Sequence, residues 1–385
     1  MQTDKALFSY TVFLILVGII FSYSLTTYTV VRLEVNQFHF FIRQLIIGLF
    51  CIYLMWQVSR FNPDQMLKIF GFTLFFCSFI LMGAMHILPS SLVTEVGGAK
   101  RWIKLGFFSL APVEFFKIGF IYFLAWSFSR KIENNKPLAE EIKIFLPYLL
   151  AFLLVIYLIA VLQNDLGQVI VLGVTLAVMA SLAGSSARFF VLITLSSLSV
   201  FIIAIITSPH RIERVKIWWA NIQNFVLSFL PDSFAKFLRI QESPDIMQIT
   251  NSLNAIKHGG ILGQGLSNSS FKLGFLSEIH TDFVLSGIAE EMGLVSIITI
   301  VILFFFISYR IFKISARSQD KIFFLFSAGV GLEIITSFLM NSFGVTSLTP
   351  IKGIAVPFIS YGGSSLLANS IAVGMVLMIS KKVKL

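Results

Sequence analysis

Charged residues are scarce in this sequence. Only 12% of its 385 residues are charged, whereas 57% are hydrophobic. A soluble domain carries about 25% charged residues. An ordinary soluble fold is therefore excluded, and lipid must be the solvent for most of the chain. The sequence predicts a polytopic membrane protein.

Cysteine and the common motifs of soluble enzymes are also scarce. The two cysteines, Cys51 and Cys77, both lie inside apolar runs, so we expect no disulfide framework. No Walker or Ser-His-Asp pattern can be assembled, and the glycines of "GGILGQG" do not follow a strand. His280 has no Cys or His at zinc-ligand spacing, so no zinc site is predicted. The net charge of +10 would suggest a nucleic-acid partner in a soluble protein, but in a membrane protein it reflects the side of the membrane on which the loops lie. No nucleic-acid partner is predicted.

Long apolar runs dominate what is present, and a transmembrane helix needs about 20 such residues. The first run is too long for the hydrophobic region of a signal peptide and lacks a small-x-small cleavage site, so we expect a retained span. The prediction is an all-α polytopic membrane protein with one integral domain over residues 1–385. The ten predicted spans are 7–26, 40–58, 67–87, 113–129, 144–162, 166–184, 188–207, 282–308, 321–343 and 357–379.

The basic residues predict the orientation. They cluster in the loops around 130–143 and 310–321 and after residue 380, on the side of both termini, which the positive-inside rule makes cytoplasmic. Two longer loops, 88–112 and 208–281, then lie on the outer face, and we expect the chemistry there. The second loop connects spans seven and eight. It contains "RVKIWWANIQNFVLSFL", whose pattern suits an interfacial amphipathic helix that serves as an aromatic anchor or holds a lipid substrate.

Ionisable residues inside apolar spans are costly and are functional hypotheses by default. Glu114 and Lys117 are three residues apart at the outer end of the fourth span, so they share one helix face. Taken alone, they suit a self-neutralising structural pair. The cations of the adjacent loop, which include Arg101, shift the balance towards a site for phosphate or pyrophosphate.

Two further segments interrupt the spans. Asp165, in "LQNDLGQ", is predicted to N-cap the helix that follows it. The stretch "TPIKGIAVPFISYGGSS", which contains Lys352 and Ser364, breaks a helix with prolines and glycines. Broken backbone at this depth requires a cover of protein or a water-filled cavity. Helix packing through small residues is the alternative explanation.

Four carboxylates lie in "SEIHTDFVLSGIAEE" at the start of the eighth span. If one helix carries Asp282 and Glu290, they differ by roughly 12 Å in height and about 80° in direction. That separation exceeds the roughly 5 to 9.5 Å of paired glycosidase carboxylates. Asp282 alone suits a general base or a cation ligand, and an N-cap is the alternative. Glu290 and Glu291 are interpreted as structural.

Five blocks resemble, in order, the signatures of the SEDS family, the shape, elongation, division and sporulation proteins. Its ten spans and its large loop between spans seven and eight are also similar to those predicted here. The last two blocks resemble the division members more than the elongation members. The blocks are "GAKRWI", "PVEFFK", "QNDLGQ", "GQGLSNSSFKLGFLSEIHTDFVLSGIAEEMG" and "KGIAVPFISYGGSSLLAN".

The resemblance implies a peptidoglycan glycosyltransferase that polymerises lipid II at the outer face of the bacterial cytoplasmic membrane, with a class B transpeptidase and division proteins as partners. It assigns Asp282 as the catalytic aspartate. From the general value for aspartate we expect a pKa near 4. The resemblance also assigns Arg101, Lys117 and Asp165 to family positions. Cations, or a divalent ion such as Mg²⁺ or Mn²⁺, would stabilise the pyrophosphate. The remaining candidates for substrate binding are Glu114, Lys352 and Ser364.

Three alternatives stay open: a lipid II transporter, an elongation polymerase of the same family, and a non-catalytic scaffold. A carrier that works by alternating access should have polar residues from mid-membrane to the cytoplasmic side. The predicted sites instead lie in the outer half, which favours the polymerase.

Overall fold

The computed structural model describes residues 3–89, 91–96, 99–106, 108–131, 138–240, 247–350 and 353–384. These residues form fourteen α-helices, a π-helical turn at Tyr157–Leu162 and three strands. The helices are α1 (Lys5–Ser24), α2 (Thr27–Arg32), α3 (His39–Arg60), α4 (Pro63–Ala84), α5 (Pro112–Lys131), α6 (Leu138–Ile156), α7 (Leu166–Leu182), α8 (Ala187–Ile206), α9 (Pro209–Leu227), α10 (Asp232–Leu238), α11 (Met247–Gly259), α12 (Val284–Arg317), α13 (Lys321–Val345) and α14 (Gly363–Ser380).

Each of the ten predicted spans contains a helix, which confirms the polytopic all-α architecture, although the last helix begins only at Gly363. Eight of these helices are long and apolar enough to cross a membrane: α1, α3, α4, α6 with its π-helical turn, α8, α12, α13 and α14. The other two are α7, a shorter apolar helix, and α5. The segment α5 carries Glu114 and Lys117 and is buried along most of its length. A helix buried in this way is shielded by its neighbours rather than by lipid.

Local sequence signals set where several helices begin. The side chains of Asp4, Ser186 and Asp320 accept hydrogen bonds from backbone N–H groups in the first turn of α1, α8 and α13. Asn62 does the same for α4, whose first residue is Pro63. Such caps satisfy donors that have no partner inside the helix.

The two chain termini meet at one end of the helix bundle. The Asp4 carboxylate forms an ion pair with the Arg310 guanidinium at 2.8 Å. The Asp4 backbone N–H donates to the Ser380 hydroxyl at 3.0 Å. We call this the terminal end, and the opposite one the sheet end. An even number of crossings places both termini on one side, as predicted. Which side of a membrane that is stays a prediction.

A small antiparallel sheet lies in the predicted loop 88–112. Its strands are β1 (Val93–Val96), β2 (Ala99–Leu105) and β3 (Phe108–Leu110), in the order β1-β2-β3. Val93 pairs with Ile103 and both are buried, whereas the next residue, Lys104, is exposed. This alternation is the two-residue period of a strand. These strands were not predicted from the sequence, because each is too short to stand out beside the apolar spans.

The helix α12 is interrupted at Gly293, whose φ of 71° and ψ of −174° are not helical. The glycine-rich turn 259–265 packs against the break. Gln264 N–H donates to Glu290 O at 2.9 Å, and Leu294 N–H donates to Gly260 O at 2.9 Å. A Cβ at Gly293 would overlap the Ile261 carbonyl. A Cβ at Gly259 or Gly263 would likewise overlap the backbone of α12, so these glycines of "GGILGQG" allow the two backbones to approach closely.

The long connection 208–281 contributes the helices α9, α10 and α11. The predicted amphipathic helix is confirmed as α9, although its place in a membrane interface stays a prediction. The helix α11 packs against α12, and Ser252 of α11 hydrogen-bonds to Ser286 at 2.7 Å and to Val345 O at 2.9 Å. This connection therefore covers the sheet end of α12 and α13.

Candidate active site

Asp282 lies in a tight turn immediately before α12. The N–H groups of residues 281, 282 and 283 all point at the Glu278 carbonyl, at 3.1 to 3.2 Å. Phe283 is the N-cap of α12, and no side chain caps it. The alternative in which Asp282 caps the eighth span is therefore wrong, as is the assumption that Asp282 and Glu290 share one helix. The side chain of Asp282 is left available for another role.

Three consecutive carbonyls of this turn are held by other parts of the chain. Tyr361 N–H donates to His280 O at 2.9 Å, and Ser360 Oγ donates to Thr281 O at 2.6 Å. Asn341 Nδ2 donates to Asp282 O at 2.7 Å and to Ile354 O at 2.7 Å. The predicted broken segment 349–365 is thus a clamp on the Asp282 backbone. Hydrogen bonds of this kind, made by neighbouring segments to the backbone around a reactive residue, hold its side chain in place.

The Asp282 carboxylate is partly exposed to solvent at the sheet end, and we call the solvent-filled space beside it the opening. The carboxylate is half-buried, and no donor in the described part of the chain hydrogen-bonds to it. Gly353, with φ of 61°, lies so close that an added Cβ would be 3.1 Å from Asp282 Oδ2. This wall of the opening therefore consists of bare backbone, and the carboxylate oxygens are available to a substrate.

Burial raises the pKa of Asp282 from 3.8 to about 7, and the negative charges of Glu278 and Asp165 add to the rise. The guanidinium groups of Arg214 and Arg101 act in the opposite direction. The expected ordinary pKa near 4 is therefore wrong, because sequence gives no measure of burial. A carboxylate that titrates near neutrality is well matched to general-base chemistry.

Arg101 and Asp165, which the resemblance assigned to separate family positions, meet at one turn. Arg101 of β2 donates from Nε to Gln163 O at 2.7 Å and from a terminal nitrogen to Asn164 O at 2.8 Å. Asp165 accepts from Gln168 N–H at 3.3 Å, which confirms its role as the N-cap of α7. Burial raises the pKa of Asp165. Both residues therefore fix the turn beside the Asp282 opening.

Glu114 and Lys117 form the predicted pair, but with a third member. Lys117 Nζ lies 3.0 Å from Glu114 Oε2 and 2.8 Å from Glu333 Oε1, and the Lys117 side chain is buried. Gln168 donates to Glu114 Oε1 at 2.9 Å. Glu333 was missed in the sequence analysis, although an ionisable residue inside the ninth span is itself a signal. The self-neutralising interpretation of this pair gains support from the structure.

Ser364 and Lys352 complete the predicted set. Ser364 Oγ donates to Ser109 O at 2.7 Å and accepts from Ala111 N–H at 2.9 Å. It therefore joins α14 to the junction of β3 and α5, and its hydroxyl is occupied by backbone. Lys352 lies outside the described residues.

Glu290 and Glu291 are buried and have partners within loop 208–281, as their structural interpretation requires. Glu290 accepts from Ser270 N–H at 2.9 Å and from the Ser269 hydroxyl, and it contacts His258. Lys272 Nζ lies 2.9 Å from Glu291 Oε1. The two carboxylates thus attach the chain that leads into the Asp282 turn to the first part of α12.

Comparisons with known proteins agree with this arrangement. The family model of the FtsW, RodA and SpoVE cell cycle proteins matches residues 5–385. A Helicobacter pylori J99 protein named "probable peptidoglycan glycosyltransferase FtsW" is 48% identical over 100% of both chains. The protein of the same name from Wigglesworthia glossinidia brevipalpis is 34% identical, over 97% of this chain and 92% of its own length.

Solved structures share the fold. A chain of a peptidoglycan synthase complex superposes with a TM-score of 0.72 at 22% identity, covering 99% of this chain and 98% of its own. The rod shape determining protein RodA of Thermus thermophilus gives a TM-score of 0.67 at 20% identity, covering 100% and 99%. With a family model that matches almost the whole chain, these findings confirm the resemblance drawn from the motifs. The chain belongs to the FtsW/RodA/SpoVE family of cell cycle proteins.

Proposed function

We propose that this protein is a peptidoglycan glycosyltransferase that polymerises lipid II into β-1,4 glycan strands during cell division. The observation that carries the proposal is the Asp282 carboxylate, which opens to the sheet end without a donor while its backbone is clamped at three successive carbonyls. The names of relatives that match along the whole chain support the same reaction.

Asp282 is the general base. It takes the proton of the acceptor sugar 4-hydroxyl as that oxygen attacks the anomeric carbon of the donor. The bond from this carbon to the pyrophosphate oxygen breaks, and its electron pair departs with undecaprenyl pyrophosphate. Attack from the back side converts the α-linked donor into a β-1,4 bond. Because the pKa of Asp282 is about 7, its carboxylate is a stronger base than an ordinary aspartate.

Arg101 contributes positive charge at the opening and fixes the turn 163–165. Lys117 would contact a phosphate only after giving up its ion pair with Glu114 or Glu333. We therefore assign Lys117 mainly a structural role beside the opening. Asp165 and Ser364 have the same supporting role. Lys352 precedes Gly353, which faces the carboxylate, and remains a direct candidate for binding the pyrophosphate.

A divalent cation fits the Asp282 carboxylate only together with substrate, because Mg²⁺ is usually held by one or two carboxylates and by phosphate oxygens. Among the described residues, no group of three His, Cys, Asp or Glu side chains could hold a metal ion. A bound cation would neutralise charge on the leaving group.

The first test is polymerisation of fluorescent lipid II by the purified protein with its class B transpeptidase, with and without EDTA. We expect Asp282→Asn to reduce the rate by at least about 100-fold, the usual contribution of a general base. Glu278→Gln, which removes an exposed carboxylate from the same turn, should retain most of the activity. An Asp282→Asn protein that polymerises at the wild-type rate would refute the base assignment.

Transport of lipid II across the bilayer is the second candidate, and one observation favours it. Glu333 lies midway along α13, twelve residues from either end, so buried charge reaches mid-membrane. A carrier would continue this path to the terminal end. Within the described ranges, the ion pairs of that end join Asp4 to Arg310 and Asp64 to Lys382. The two carboxylates lie at the first turns of α1 and α4. Lipid II movement in vesicles without polymer formation would select the transporter.

We also propose that the membrane is the bacterial cytoplasmic membrane, with both termini inside the cell and the sheet end outside. The clusters of basic residues at the terminal end support this orientation. A class B transpeptidase and division proteins are the proposed partners, supported by the similarity to a chain of a peptidoglycan synthase complex.

A further inference from the structure

The helix α9 bridges two walls of the opening above Asp282. At one wall, Arg211 donates to Ala204 O at 2.7 Å and to Asn164 Oδ1 at 3.2 Å, in the turn that Arg101 also holds. At the other wall, Trp218 Nε1 donates to Ser347 O at 3.1 Å. Ser347 follows the end of α13, the helix whose Asn341 holds the Asp282 carbonyl. Both ends of this stretch of α9 are therefore fixed.

Arg214 lies between these two contacts on the same face of α9. Residues 211, 214 and 218 are separated by three and four positions, the spacing of one helix face. Arg211 and Trp218 are half-buried against the protein, yet Arg214 is exposed. A residue on this inward face that stays exposed borders solvent-filled space. The flanking contacts of α9 reach the turn that Arg101 holds and the end of the helix that holds the Asp282 carbonyl, so the space between them lies beside Asp282. The effect of Arg214 charge on Asp282 agrees with this position.

The Arg214 guanidinium has no hydrogen bond or ion pair within the described residues. Its planar set of donors matches two phosphate oxygens, which makes arginine a preferred ligand for phosphate groups. Arg101 uses two of its nitrogens on backbone carbonyls, and Lys117 is enclosed by carboxylates. Of these three cations, Arg214 is therefore the one that can bind a ligand without first giving up a hydrogen bond or an ion pair.

We propose that Arg214 is a binding residue for the pyrophosphate of the lipid-linked sugar donor. This inference rests on the proposed function and deepens it, since it assigns a specific ligand to α9. In this arrangement α9 covers the opening, and Arg214 holds the leaving group while Asp282 acts on the acceptor hydroxyl. The alternative is that Arg214 is only a counter-ion of Asp282, and the experiment separates the two.

The matched variants are Arg214→Gln, Arg214→Lys and Lys216→Gln. Lys216 is exposed on the same helix but lies about 200° around it. In steady-state polymerisation, Arg214→Gln should raise the KM for lipid II at least about tenfold, and Arg214→Lys should recover part of the loss. Lys216→Gln should behave as wild type. Equal losses in Arg214→Gln and Lys216→Gln would overturn the proposal, because any surface cation would then suffice.

A second measurement keeps this proposal separate from the polymerase assignment. Equilibrium dialysis with labelled inorganic pyrophosphate should give binding by wild type and by Lys216→Gln, and loss of binding by Arg214→Gln. Wild type that binds pyrophosphate but forms no polymer would refute the proposed function while sustaining the Arg214 site. Absence of pyrophosphate binding by wild type, or an Arg214→Gln variant that changes only the pH midpoint of turnover and not KM, would refute the site.

Discussion

Asp282 acquires its reactivity from neighbours that are far away in sequence. Asn341, Ser360 and Tyr361 fix its turn, while burial and two nearby carboxylates raise its pKa. A base that is already oriented does not need to spend free energy on ordering when the substrate arrives. The same side chain, Asp282, is therefore both held in position and made more basic by its neighbours.

The pH dependence of turnover follows from this pKa. Since only the carboxylate accepts a proton, kcat/KM should fall about tenfold per pH unit below about pH 7 and be level above it. Glu278→Gln should move the midpoint to lower pH, because the Glu278 charge raises the pKa of Asp282. A rate that stays constant down to about pH 5 would contradict the assignment.

The same group has the opposite influence on stability. Its pKa is higher in the folded than in the unfolded chain, so the folded state binds more protons between about pH 4 and pH 7. The contribution of Asp282 to the free energy of unfolding should therefore decrease as the pH rises through that window.

At the scale of elements, the break in α12 organises the sheet end. The turn 259–265 exchanges backbone hydrogen bonds with residues on both sides of Gly293, and Glu290 and Glu291 secure the following loop. The chain then enters the Asp282 turn. A continuous helix from 284 to 317 would leave this turn without its lateral support.

Gly293→Ala tests this role of the break. We expect the free energy of unfolding to fall by more than about 3 kcal/mol, since backbone of this kind costs a non-glycine residue of order 1–3 kcal/mol and a Cβ would also overlap Ile261 O. Thermal unfolding in detergent measures the loss. The control is Gly83→Ala, a position in α4 where an added Cβ meets nothing within 4 Å. Equal melting temperatures for the two variants would refute the constraint.

At the scale of the whole molecule, buried charge joins three helices. Lys117 of α5 contacts Glu114 in the same helix and Glu333 of α13, while Gln168 of α7 donates to Glu114. Removing one partner of a buried ion pair leaves an uncompensated charge, which is far more costly than removing both. The network therefore fixes how these helices pack.

Lys117→Met should destabilise the protein by about 3 to 5 kcal/mol, because two buried carboxylates lose their counter-charge. Adding Glu333→Gln should restore part of that loss, as a double-mutant cycle would reveal. Lys216→Met, which removes an exposed lysine, should leave the melting temperature unchanged. If Lys117→Met melts like wild type but loses polymerisation, Lys117 is a substrate ligand rather than a packing residue.

Much of this protein could be read from local patterns. The apolar runs predicted the helices of the bundle, eight of which are long and apolar enough to cross a membrane, and the local sequence predicted that Asp165 caps α7. Asp282 was singled out by charge at the start of an apolar run. The sheet in 88–112, the break at Gly293 and the third partner of Lys117 were not predicted. Glu333 was overlooked although its position carried a signal, and Arg214 carried none, since an exposed arginine on an amphipathic helix is ordinary.

The sequence by itself determined the class of protein, the helical segments, the family and the candidate base, because hydropathy, capping and motifs act over a few neighbouring residues. The tertiary structure decided what the charges do. The clamp on Asp282, its raised pKa, the pairing of Lys117 with Glu333 and the inward face of α9 all depend on contacts between residues tens to hundreds of positions apart. Those contacts exist only once the helices pack, and packing sets both the distances and the burial on which electrostatic interactions depend.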